Sequence, residues 1–308
     1  MLSQQQKTEI LDLIEEEKER LGSYRAVARK CSVSEATISQ LRKGSYLGET
    51  DGILHDIGIS LGYEFNTSEW RIAETTNYQI ITDVLNDAKN ESMFMGIAHR
   101  AGSGKTATSD VFLNLNRRNS VFKINAKEWN AHNFLMEVAR EIGANLPHAG
   151  YVKVNALIEC IGSTFKRISA TRPLLIVDQA NSLKPSALRT FIHLYNECED
   201  ILGVVILGTD NLETEIKRGV RLNKTGYDEF DSRFGRNYIH LIGATLNDTR
   251  KICTVNAITD PDMQKSIFDR AEPTKTTLQD GRSIYIVDDI RRIKRLIKSE
   301  RLNLKYNG

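Results

Sequence analysis

The stretch that most constrains the fold is SMFMGIAHRAGSGKTATSD, residues 92–110. Met93 to Ala98 is an apolar run of strand length, and it feeds a turn holding Gly102 and Gly104. A helical pattern begins at Lys105 and Thr106. Strand, glycine-rich turn and helix in that order make a phosphate-binding P-loop. Its backbone N–H groups and the positive end of the helix cradle a polyphosphate, the lysine reaches the outer phosphates, and the hydroxyl takes Mg²⁺. The candidate cradle is His99, Arg100, Ala101, Gly102, Ser103, Gly104, Lys105, Thr106 and Ala107. The pattern GxxxxGK[ST] asks for a glycine where this chain has His99.

A chain of 308 residues that is 40% hydrophobic and 27% charged can bury a large core, and its length suggests two or three domains. The formal net charge of +2 gives no global argument for nucleic acid, so the placement of basic residues matters more than their number. Cys31, Cys160, Cys198 and Cys253 are scattered, without CxxC or Cys/His spacing. Reduced, mostly buried thiols in a cytosolic protein are expected rather than disulfides or zinc. No apolar run approaches the roughly 18 residues of a membrane span, and MLSQQQKTEI lacks the pattern of a signal peptide.

Before the P-loop, residues 3–21 predict an amphipathic helix with Ile10, Leu11, Leu13, Ile14 and Leu21 on its buried side. Then comes GSYRAVARKCSVSEATISQLRKGSY. Ala26, Val27 and Ala28 sit on a short helix, Ser32 and Val33 make a turn, and Ser34 caps a second helix bearing Thr37, Ile38 and Leu41. A small residue, a tight turn, a buried valine and an Ile/Leu pair form the helix-turn-helix pattern, although Ser32 stands where glycine is common. Its outward residues are Ser34, Glu35, Thr37, Ser39, Gln40, Arg42 and Lys43, suited to phosphates and a DNA groove. Ile53 to Leu61 predicts one more helix, and GYEFNTSEW a linker with the domain boundary near Asn66.

After the linker, strands and helices alternate. Residues 75–90 predict a helix, Ser120 to Ala126 a second strand, and Asn130 to Ile142 and Val152 to Ile168 two helices. PLLIVDQ, Pro173 to Gln179, is a continuous aliphatic run ending in an acid, the mark of a buried parallel strand. Ligands bind at the carboxyl ends of such strands, which puts Asp178 beside the P-loop as a second metal-holding residue with Thr106. A helix over Ser186 to Asn196, a strand over Ile201 to Thr209 and a short strand from Tyr238 to Ile242 complete a three-layer α/β domain with a parallel sheet. From Ala244 onward the pattern turns helical without strands and ends in the basic run IRRIKRLIKSERLNLK, a small helical lid.

In this order the elements resemble an AAA+ ATPase, and more closely the target-DNA-binding ATPases of transposition systems. The expected organisation is a helix-turn-helix DNA-binding domain over 1–65, an AAA+ core over 66–243 and a helical lid over 244–308. The resemblance implies that Gly102 to Thr106 is Walker A, Asp178 the Walker B aspartate and Thr209 the sensor-1 residue. Arg233 would be the arginine finger, with Arg236 near it as a further nucleotide contact. Arg292 is the sensor-2 candidate and Arg291 the fallback. Such proteins commonly carry Asp-Glu in Walker B, where this chain has Asp178 and Gln179. A neutral amide cannot take the proton of the attacking water, so ATP·Mg²⁺ binding with weak or abolished hydrolysis is expected.

The implied function is ATP-dependent, largely sequence-independent binding of double-stranded DNA, with self-association into a ring or helical filament and recruitment of a transposase. Lys127 and Lys153 are candidate DNA contacts in the core, in loops near Lys127–Asn130 and Tyr151–Lys153. An ATP-switched helix-turn-helix regulator and a helicase-loader-type ATPase remain alternatives.

Overall fold

Five strands build one parallel sheet: β1 (Phe94–Ala98), β2 (Val121–Asn125), β3 (Leu174–Asp178), β4 (Gly203–Gly208) and β5 (Tyr238–Ile239). The computed structural model describes residues 2–63, 70–146, 151–277 and 281–307. The strand order is β2-β3-β4-β1-β5, so the P-loop strand lies inside the sheet and β2 at one edge. The register pairs Ala98 with Gly208 and Asn125 with Asp178, which aligns the carboxyl ends where the P-loop and Asp178 emerge.

The aliphatic runs form strands because both faces of the sheet are covered. The N-terminal helices are α1 (Gln4–Leu21), α2 (Tyr24–Lys30), α3 (Glu35–Arg42) and α4 (Thr50–Ser60). Next come α5 (Thr76–Asn90) and α6 (Lys105–Leu115), whose Val84, Leu85 and Phe112 pack with Val121, Ile176 and Val205. On the opposite face lie α7 (Ala131–Glu141), α8 (Val154–Arg167) and α9 (Pro185–Cys198). Their Phe134, Phe165 and Phe191 are fully buried among Phe122, Leu175 and Val204. Side chains alternate faces along each strand, so neighbouring aliphatics serve different layers. The parallel three-layer arrangement expected from the sequence is the one observed. Two short helices follow β4, α10 (Asp210–Arg221) and α11 (Tyr227–Arg233).

In the N-terminal unit, α2 and α3 are joined by a turn in which Ser32 adopts φ 56°, the left-handed conformation that glycine would take most easily. Ser34 caps α3 by accepting from Thr37 N at 3.0 Å, while Ile38 and Leu41 are buried and Val33 is only half-buried. The expected boundary near Asn66 lies outside the described residues. The unit does not hang free: its apolar core runs without a break into that of the sheet.

Charge also crosses this seam. Arg20, 3% exposed, donates to Val121 O at 2.5 Å, to Glu17 at 2.6 Å and to Glu141 at 3.0 Å. Lys30 reaches Glu141 at 2.8 Å and Glu17 at 3.1 Å. Burial pushes the Glu17 carboxyl up, but Arg20 and Lys30 outweigh it and hold it below the usual range. Gly143, at φ 60°, lets α2 approach closely, because a Cβ there would lie 3.1 Å from both Cβ and O of Ala26.

The lid carries α12 (Leu246–Val255), α13 (Pro261–Arg270) and α14 (Ile290–Asn307). It also holds strands, which corrects the expectation of an all-helical lid. β6 (Thr274–Thr277) and β7 (Ser283–Ile286) form an antiparallel hairpin. Thr-Lys-Thr-Thr and Ser-Ile-Tyr-Ile are short β-branched runs of the kind that favour strands. They are too brief to stand out beside the long basic helix that follows. Ala244, where the lid begins, bridges to Val287 just after this hairpin. Cys31, Cys198 and Cys253 are buried, all four cysteines are unpaired, and burial pushes the Cys31 thiol up to about 12. Among the described residues, no helix is long and apolar enough to cross a membrane.

Candidate nucleotide-binding site

The P-loop, the end of β3, the end of β4 and the first turn of α14 enclose a cleft of about 570 Å³. That lies within the range of about 300–1,000 Å³ common for small-molecule sites. On its floor α6 opens at Gly104, φ 95°, with no side chain capping its first N–H groups. An uncapped helix N-terminus leaves donors and a positive end for an anion.

Gly102 and Gly104 both have positive φ, and His99 does not. His99 N donates to Gly208 O at 3.2 Å, so at this position the backbone is still running alongside β4. The missing P-loop glycine therefore carries no conformational penalty here. The His99 imidazole is half-buried, and burial together with the Lys105 charge lowers its pKa.

Lys105 is buried, and its ammonium donates to His99 O at 2.6 Å, Arg100 O at 3.0 Å and Ser103 Oγ at 3.0 Å. Burial pushes it down to about 8, with Arg291 adding to the shift and Asp178 opposing it. Ser103 is held in turn by Asn77, whose Nδ2 donates to Ser103 O at 3.2 Å and whose Oδ1 accepts from Ile242 N. Arg100 turns out to the lid and pairs with Asp288 at 2.9 Å. Ala101, Thr106 and Ala107 line the cleft, with Thr106 exposed at the start of α6.

Asp178 ends the fully buried β3 and is itself 2% exposed. Its Oδ1 accepts from Gln179 N at 2.8 Å, while Oδ2 is buried with no hydrogen-bond partner among the described residues. That buried oxygen, without a hydrogen bond and 3.6 Å from Lys123 Nζ, sits beside a phosphate cradle and fits a metal cation, and Thr106 supplies the hydroxyl such a site needs. Hard oxygen donors of this kind suit Mg²⁺. Gln179 follows at φ 56°, ψ 35°, a left-handed conformation uncommon outside glycine, asparagine and aspartate, and its side chain is exposed on the cleft. Thr209 lines the opposite wall, and its N–H donates to Asn181 Oδ1 at 3.2 Å. Asn181 thus bridges the ends of β3 and β4, a role with no signature in the sequence.

The remaining predicted residues fall elsewhere. Arg292 does not line the cleft; it pairs with Glu272 at 2.9 Å and donates to Ala271 O at 3.2 Å. Arg291, one position earlier on α14, does line the cleft, as does Arg71 at its far end. Arg233 is pinned within its own chain, donating to Asn196 Oδ1 at 2.9 Å and Glu229 O at 3.1 Å and lying over the Tyr195 ring. Arg236 is exposed and pairs with Asp228 at 2.7 Å. The far end of the cleft was not foreseen: Trp70, Ile72, Ala73 and Ile252 give it apolar walls suited to a flat base. Asn256 clamps the backbone of Arg71 there, accepting from its N and donating to its O.

Of the DNA-contact candidates, Gln40, Lys43, Lys127 and Lys153 are exposed. Ser34 and Thr37 bond each other at the α3 cap. Arg42, also exposed, pairs with Glu15 of α1 and stacks over Tyr24 at 4.0 Å. Tyr151, two residues before Lys153, stacks on His132 in the first turn of α7 with the rings 4.5 Å apart.

A family model described as an AAA domain matches residues 92–215. Among solved structures, Cdc6p from Pyrobaculum aerophilum is similar with a TM-score of 0.54 and 18% identity over 79% of this chain. The chain spans 66% of that protein, just under two thirds of its length. Drosophila ORC bound to AT-rich DNA and Cdc6 is a more distant likeness, at 10% identity over 83% of this chain and 100% of that one, with a TM-score of 0.35 that carries no weight here. No curated protein sequence matches this chain. The matched domain, the β2-β3-β4-β1-β5 sheet and the cleft at its carboxyl edge show that this chain has the AAA+ P-loop ATPase fold.

Proposed function

We propose that this protein is an ATP-dependent, largely sequence-independent DNA-binding protein of a transposition system. It assembles on target DNA and recruits and activates the transposase, in the manner of the ATPases typified by phage Mu transposition protein B. One observation carries the reading: the helix-turn-helix pair and the P-loop sheet share an unbroken core, fastened by buried Arg20 and half-buried Glu141. A change at the nucleotide cleft therefore acts on a body that includes a DNA-binding face, without a slack linker between them.

In the cleft, the uncapped α6 N-terminus and Lys105 bind the phosphates, and the apolar end takes the base. Thr106 and Asp178 would hold Mg²⁺, which when bound neutralises phosphate charge. Gln179 orients water without accepting its proton, so the chain holds ATP and hydrolyses it slowly. Arg233 serves a neighbouring protomer only after leaving Asn196, which makes ATP-dependent assembly its switch. Gln40, Lys43, Lys127 and Lys153 meet phosphates, with an affinity that falls steeply with salt.

Electron microscopy with double-stranded DNA, with and without ATP, tests this. Filaments that need ATP and form on any sequence support it. Isolated dimers on one palindromic site would instead indicate a regulator, and a stable complex with a replicative helicase a loader.

A further inference from the structure

Lys123 stands where a buried strand ordinarily carries an aliphatic. It is the third residue of β2, in register with Ile176, on the side of the strand that faces α6. Its side chain is 3% exposed, and a buried ammonium is strongly disfavoured unless charges answer it. Of the two carboxylates that answer it, Asp178 lines the nucleotide cleft and Asp110 lies outside it. Lys123 Nζ bonds Asp110 and lies 3.3 Å from Thr106 O and 3.6 Å from Asp178 Oδ2, which has no hydrogen bond among the described residues. One ammonium thus contacts the carboxylate that the cleft offers to a divalent metal and the backbone carbonyl, not the hydroxyl, of Thr106. The P-loop lysine is a separate group, bonded to the loop itself.

We infer that Lys123 is a built-in cation of the nucleotide site, supplying to Asp178 part of the charge that a divalent metal would bring. The inference rests on the nucleotide-binding reading above. Without metal, a bare Asp178 carboxylate would repel the phosphates; paired with Lys123, it does not. With metal, the incoming cation shares Asp178 with a fixed like charge and binds less tightly. Asp110, half exposed, is the alternative partner to which the ammonium retreats. Triphosphate binding by this chain therefore depends less on Mg²⁺ than in a site with an aliphatic at this position.

The test is equilibrium binding of a fluorescent, non-hydrolysable ATP analogue in EDTA and across a Mg²⁺ series. The unmodified chain should lose less than about tenfold in affinity on metal removal, and K123M about tenfold more, the scale of one partly screened charge contact. K123M should also reach half-saturation at lower Mg²⁺, and K123R should behave as the unmodified chain. D110N should shift half-saturation to higher Mg²⁺, because the ammonium then rests on Asp178 alone. Identical Mg²⁺ dependence in K123M and the unmodified chain overturns the inference. So does a shift of K123M and D110N in the same direction, which would make Lys123 a structural plug. Should K123M fail to fold, the unmodified chain in EDTA and the half-exposed D110N still decide. An unmodified chain that binds no analogue at saturating Mg²⁺ overturns the nucleotide reading itself, before any variant is compared.

Discussion

Arg20 of α1 and Glu141 of α7 meet 3.0 Å apart across the seam between the N-terminal helices and the ATPase sheet. The same guanidinium lies over the Phe122 ring at 4.6 Å, so its charge and its flat face are both used. Removing one partner of a buried ion pair costs about 3–5 kcal/mol, because the other charge stays behind. R20A is expected to lower stability by about that amount in urea unfolding, and E141Q by less, since Glu17 still answers Arg20. If the seam couples the two units, R20A also weakens the ATP dependence of DNA binding; an unchanged dependence would separate the two functions.

Gln179 is exposed on the cleft directly after Asp178. Restoring a carboxylate there supplies a general base, an effect of about a hundredfold or more in rate. Q179E should raise phosphate release by that order, and ATP should then disassemble complexes that persist in the unmodified chain. Equal and brisk release by both proteins would remove Gln179 from the account.

Two P-loop positions should respond differently. At Gly102, φ is 85° and a Cβ would lie 1.9 Å from Asp289 Oδ1 and 3.2 Å from its Cα. G102A is expected to cost about 1 kcal/mol or more through the left-handed conformation alone and to push the lid off the loop. H99G should leave nucleotide affinity nearly unchanged, because His99 does not need positive φ. Calorimetric titration with ATP compares the pair; equal losses would contradict the backbone argument.

Lys43, Lys127 and Lys153 are exposed, whereas Arg42 is engaged with Glu15 and Tyr24. Each of K43A, K127A and K153A should reduce the slope of log affinity against log salt by about 1, in the same way on any DNA sequence. R42A should instead lower the melting temperature of the N-terminal unit. A sequence-dependent loss from a lysine variant would indicate base reading.

Lys89, on α5, donates to Thr171 O at 2.7 Å and Arg172 O at 2.6 Å. Burial pushes its ammonium down to about 8 from an ordinary value of 10.5, with Arg172 adding to the shift. Between those values the unfolded chain binds the extra proton, so this site favours the folded state increasingly as pH rises through that window. Melting temperatures of the unmodified chain and K89M, measured from about pH 7.5 to about pH 10, should diverge in favour of the unmodified chain. A constant difference would show that Lys89 titrates normally.

The sequence by itself determined whatever repeats locally. The P-loop, the aliphatic run ending at Asp178 and the α2–α3 pattern are each written in a few adjacent residues, because strand and helix periods are local properties. Their order along the chain sufficed for a three-layer parallel sheet. The lid hairpin escaped because four-residue strands leave almost no period to detect. Arg291 and Arg292 differ by one place, yet one residue is about 100° around a helix, and only packing against Ala271 and Glu272 decides which faces the cleft. Lys123 lies inside a stretch that reads simply as a strand, and its partners become visible only when β3 is laid beside β2 and Asp178 beside its ammonium. Arg20 and Glu141, 121 residues apart, likewise meet only when α1 docks on the sheet edge. Local chemistry is legible from sequence; which buried charge answers which is settled by tertiary contact, since a charge leaves water only where a distant partner has been brought to meet it.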